Sequence, residues 1–136
     1  MSYFRPVLIL ILILGSFISR AQTVQLIGTS DDFILENVKG YDSVEERSLE
    51  HEEFNILVFE GKDKELSFYF TFFRGEKVCS YIKNTGKPSA LNEEILFVKS
   101  HFKNTKDNIW ESSGKSIQAE ITEKNGFALL LVKALR

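Results

Sequence analysis

Residues 66–73, LSFYFTFF, constrain this chain more than any other segment. Aromatic side chains favour strands because they pack well on a pleated surface. Both faces of this run are apolar or aromatic, which predicts a strand in the middle of a sheet, covered on each side. An uncharged aromatic run aggregates if left exposed. Charges crowd the turns beside it, Gly61-Lys62-Asp63-Lys64 and Arg74-Gly75-Glu76-Lys77, as gatekeepers do. Strands over 54–60 and 78–83 complete a three-stranded antiparallel unit around it.

A short helix precedes this unit. Ser30 suits its N-cap, and Asp31 and Asp32 place negative charge in the first turn, where the helix dipole favours it. Phe33, Ile34 and Val38 give an apolar face, and Lys39-Gly40 closes the helix. Residues 42–53 are acid-rich without clear period, which predicts a solvated loop or a short extra helix. After the loop at 84–89, Leu91, Ile95, Val98 and Phe102 recur at helical spacing. They define a second helix, capped by Ser89 and running to about Lys103.

A short strand around Trp110, over 108–111, opens the second group. Residues 116–122 alternate cleanly, and Asn125-Gly126 is a strong two-residue hairpin signal leading into a last strand over 127–135. With that turn, facing residue numbers sum to 251, so Ile121 opposes Leu130 and Ala119 opposes Val132. Phe127, Leu129 and Leu131 then share the opposite face with Gln118 and Glu120. Either a helix covers that face or it is a contact surface. The fold class is α+β, a mainly antiparallel sheet with two helices in the order α-β-β-β-α-β-β-β.

The N-terminus reads as a secretory signal peptide over residues 1–21, followed by one domain over 22–136. Arg5 supplies the positive start, VLILILIL at 7–14 the apolar run, and Ser19-Arg20-Ala21 the small residues at −3 and −1 of a cleavage site. A spanning helix needs roughly 20 apolar residues, and 7–18 supplies twelve interrupted by Gly15 and Ser16. Cleavage leaves 115 of 136 residues, enough for one core without metal or disulfide. It also removes Arg5 and Arg20, so fifteen basic side chains face nineteen acidic ones, a mature charge of −4. No basic patch stands out, which excludes nucleic acid as a natural partner, and no stable membrane insertion is expected after cleavage. The expected location is the periplasm or the exterior.

Chemistry is sparse. Cys79 is the only cysteine, so no internal disulfide forms; it is a buried thiol, an intermolecular bridge or a nucleophile. His51 lacks the second histidine of a His-Glu-x-x-His zinc helix, and His101 flanks the apolar face of the second helix, so no metal site is expected. Gly86-Lys87-Pro88-Ser89 has the look of a P-loop tail, but Tyr81 stands where the earlier glycine belongs. Glu93-Glu94 and the acids of 42–53 sit in no apolar setting that would split their pKa values, and read as solvated surface. No catalytic residue and no cofactor site emerge.

The segment Leu26-Ile27-Gly28-Thr29-Ser30 leading into a helix and strands resembles the opening of helix-plus-three-strand modules. Such modules occur in β-lactamase-inhibitor-protein-like folds and in a small outer-membrane assembly lipoprotein. Val78, Cys79 and Tyr81 before a helix, with Trp110 after it, are similar to features of small uncharacterised exported bacterial proteins. These carry no activity to transfer. The lipoprotein comparison lacks its lipid-bearing cysteine here. The apolar second face of the last hairpin and the lack of a catalytic constellation point instead to an exported, non-enzymatic binding or assembly module of the bacterial envelope, meeting a protein partner through a sheet face or the acidic loop. The alternatives are a carrier of a small apolar ligand, with a cavity lined by Phe68, Phe70, Tyr81 and Trp110, and an enzyme using Cys79.

Overall fold

The computed structural model describes residues 23–48 and 55–135. The predicted signal segment and His51 lie outside the described residues. After a 3-10 turn at Thr23–Leu26 come α1 (Asp31–Asn37), β1 (Ser43–Ser48), β2 (Asn55–Gly61), β3 (Lys64–Phe73) and β4 (Glu76–Gly86). The second half holds α2 (Pro88–His101), β5 (Lys103–Lys106), β6 (Ile109–Glu111), β7 (Ile117–Lys124) and β8 (Phe127–Ala134). The eight strands form one antiparallel sheet in the order β1-β2-β3-β4-β8-β7-β6-β5. Each half is a helix followed by four strands, and the halves meet at the β4–β8 seam.

Two strands were not expected. Residues 43–48 form β1 rather than a loop or helix, and residues 103–106 form β5 where the helix was expected to be ending. All six residues of β1 and all four of β5 are exposed. They are the two edges of the sheet, held by backbone pairing to β2 and β6, so neither shows the apolar alternation that reveals a strand. The element order is therefore α-β-β-β-β-α-β-β-β-β.

One face of the sheet carries the core. Leu57, Phe59, Leu66, Phe68, Phe70, Ile82, Leu130, Val132, Ala119 and Ile121 join Ile34 of α1 and Leu91, Ile95 and Val98 of α2 in a single buried cluster. Both helices therefore lie on the same side. Ser30 caps α1 as expected, its Oγ accepting from the Phe33 N–H at 3.2 Å. The cap of α2 is Lys87 rather than Ser89, because Pro88 occupies the first helical position, where a missing N–H costs nothing.

β3 is interior, as LSFYFTFF demands, and the described helices lie on only one of its faces, although Ser67 on the other is also buried. Leu66, Phe68 and Phe70 are fully buried, whereas Phe72 and Phe73 are exposed near the hairpin tip. A bulge follows Tyr69, which faces Tyr81 while Phe70 faces Cys79, leaving Ser80 as the extra residue. β8 pairs with β4 only from Tyr81 onward. Ahead of that point the Gly28–Thr29 segment takes its place: Gly28 N–H donates to the Cys79 carbonyl at 2.7 Å, and Cys79 N–H donates to the Thr29 carbonyl at 2.8 Å. The Leu26–Ser30 segment thus stitches the N-terminal region to β4.

The last hairpin follows the register expected from its turn. Ile121 pairs with Leu130 and Ala119 with Val132, all buried. Asn125 and Gly126 have φ of 54° and 79°, the positive pair that a two-residue I′ turn requires.

Candidate functional site

Two regions hold side chains that folding alone leaves unexplained. The first is the sheet face that carries neither described helix. Tyr69 of β3 faces Tyr81 of β4, with ring centroids 5.3 Å apart at 81°, an edge-to-face pair. Beside it, β8 presents Leu129 and Leu131, both half-buried, with Phe127 at the strand start 65% exposed. Leu131 lies between Lys83 and Glu120, and Leu129 between Thr85 and Thr122. Among the described residues no helix covers Phe127, Leu129 and Leu131, since both described helices pack on the opposite face. Toward β1 the same face carries Ile56 and Val58, which are buried although they stand outside the main cluster.

The second region was not expected from the sequence. Glu94 of α2 projects into the core and is 8% exposed. Its carboxylate accepts from Asn84 Nδ2, on the core face of β4 between Leu66 and Leu130. Burial pushes Glu94 up to about 7, because the charged form loses its hydration. The nearby Thr23 hydroxyl and the more distant Lys64 ammonium pull the other way, and Glu93 adds to the rise. The Thr23 Oγ1 leans toward this carboxylate without completing a hydrogen bond of ordinary geometry, and Asn84 Oδ1 also has no partner. Glu94 forms no ion pair with any described cation.

These groups border a cleft of about 440 Å³, which Lys39, Tyr41, Ser89 and Glu93 also line. Tyr41 is raised by burial and by the Glu94 charge, so its phenol stays protonated. The Lys64 Nζ stands 4.5 Å above the Tyr41 ring, held there by the ring rather than by the carboxylate. Helical spacing held the clue to Glu94. It is three residues after Leu91 and four before Val98, so it shares their stripe and follows them inward.

The other predicted residues disperse. Cys79 is 1% exposed, its thiol donating to the Tyr81 carbonyl at 3.6 Å, and burial pushes it up to about 12. His101 stacks on Phe97 at the exposed end of α2, with ring centroids 4.2 Å apart, away from the thiol's core environment. Phe68 and Phe70 point into the helix-covered core while Tyr81 points to the other side, so these residues and Trp110 do not line a common cavity. Among the described residues no cluster of three potential metal ligands occurs, and no helix is long and apolar enough to cross a membrane. Compared with known proteins, the chain matches no family model, no curated protein and no solved structure.

Proposed function

We propose that this chain is an exported, non-enzymatic binding module that engages a protein partner through the sheet face that no described helix covers. The observation that carries this reading is the group Phe127, Leu129 and Leu131 beside the Tyr69–Tyr81 pair, partly exposed and ringed by Lys83, Lys133, Glu120 and two threonines. Protein interfaces have this anatomy: aromatic and aliphatic anchors at the centre, a polar rim of mixed charge around them. The mixed rim favours a partner surface that is itself mixed in charge. A buried, high-pKa thiol whose hydrogen bond goes to the Tyr81 backbone carbonyl favours this reading over catalysis by Cys79. Dispersal of the four aromatics favours it over an apolar carrier.

The test is a triple variant, Phe127→Ser, Leu129→Ser and Leu131→Ser, used in affinity purification from the protein's own envelope. The expected result is a partner captured by the parent and reduced by about tenfold or more with the variant, while cooperative unfolding persists. Loss of the fold would make these residues structural, and undiminished capture would remove the face from the interaction.

A further inference from the structure

The cleft at Glu94 holds more buried acceptor capacity than donors. Asn84 Oδ1 is buried without a partner, Thr23 Oγ1 accepts from no described group, and the Glu94 carboxylate is met by the Asn84 amide and, less well aligned, by the Thr23 hydroxyl. A buried polar atom left unpaired is costly, more so beside a charge. The nearest cations do not close this deficit. Lys64 is drawn over Tyr41, and Lys39 lines the wall without ion-pairing to Glu94. A primary ammonium matches the arrangement, because it brings three N–H donors and a charge opposite to the carboxylate in one small group.

We propose that this cleft is an ammonium-binding site, in which a primary ammonium donates to Glu94, Asn84 Oδ1 and Thr23 Oγ1. Two sources can supply that chemistry. One is a free small amine, which the cleft has room to hold. The other is the chain itself: cleavage after Ala21 creates an α-ammonium on Gln22, the residue bonded to Thr23. Covalent bonding alone ties that group to Thr23, which lines the cleft, because adjacent α-carbons are about 3.8 Å apart. The second source rests on the signal-peptide reading; the site does not, and neither depends on the partner-binding face.

The hydrophobic cluster of the described residues lies between Val24 and Val132, so a mature chain beginning at Gln22 carries every described element. It can be released from a fusion with a free α-amine, and three forms compared: free Gln22, Gln22 cyclised to the uncharged pyroglutamyl form, and a chain extended by Ala21. Unfolding is followed above pH 7 with methylammonium chloride against matched sodium chloride. If the terminus fills the site, the free-amine form unfolds with an equilibrium constant about tenfold lower than the cyclised form. Methylammonium then stabilises only the cyclised and extended forms. If a free amine is the natural occupant, methylammonium stabilises all three alike. In both cases Glu94→Gln abolishes the effect and Glu93→Gln retains it. Should Glu94→Gln fail to fold, Thr23→Val serves in its place, with a weakened response expected. Three forms of equal stability, none responding to methylammonium, overturn the proposal.

Discussion

At the residue scale, burial decides what each titratable group can do. Cys79 looked ambiguous as a lone cysteine; its place opposite Phe70 on a central strand makes it core. We expect a disulfide reagent at pH 8 to leave the native thiol unmodified and to react once the chain is unfolded, read by absorbance. Rapid labelling of native protein contradicts this placement. Glu94 has the opposite history, because an apparently solvated glutamate turns inward. Its folded pKa, about 7, lies above the ordinary 4.5. The stability it contributes is therefore full below pH 4.5 and is lost as pH rises through 7. In a chain whose terminus is blocked and whose cleft holds no amine, this amounts to on the order of 3 kcal/mol. Urea titrations across that range should show the decline, and Glu94→Gln should flatten it. Gly86 is fixed by close approach: a β-carbon there would meet the Asp63 carbonyl oxygen at 2.4 Å. Gly86→Ala should cost about 1–3 kcal/mol, measured by denaturant unfolding; no loss would mean that the Asp63 turn yields.

At the element scale, signals that act locally were legible and signals that act through pairing were not. Ser30 carries a side-chain oxygen where a cap needs one, and Asn125-Gly126 tolerates the left-handed backbone that a tight hairpin demands. Both are properties of a few adjacent residues, and both elements formed as expected. Gly126→Ala should weaken the β7–β8 hairpin by about 1–2 kcal/mol, seen as a lower denaturation midpoint. An unchanged midpoint would mean that the turn adopts another type. β1 and β5 escaped notice for a physical reason. An edge strand can be held by hydrogen bonds to one neighbour while burying no side chain, so its sequence need not alternate. SVEERS and KNTK read as loops because every side chain in them faces solvent.

At the scale of the whole molecule, those same polar strands close a sheet that would otherwise offer bare edges. Charged edge residues disfavour addition of another strand. Replacing Glu45, Glu46 and Arg47 together with valine should leave the core intact yet promote self-association, detectable by sedimentation velocity; a variant that stays monomeric would show that charge is not what protects that edge. The helix-free face also belongs to this scale. Sequence alternation placed Phe127, Leu129 and Leu131 together but left open whether a helix covers them, since coverage depends on which side both helices choose. By itself the sequence determined the strands of the two central hairpins, both helices, and the pairing of Ile121 with Leu130. These follow from local turn chemistry and periodicity. Only the tertiary structure decided that both helices share one face, that polar strands guard the edges, and that Glu94 meets Asn84 and Thr23 in the interior. Those outcomes depend on contacts between residues distant in the chain, and no local pattern encodes which distant partner a buried carboxylate will find.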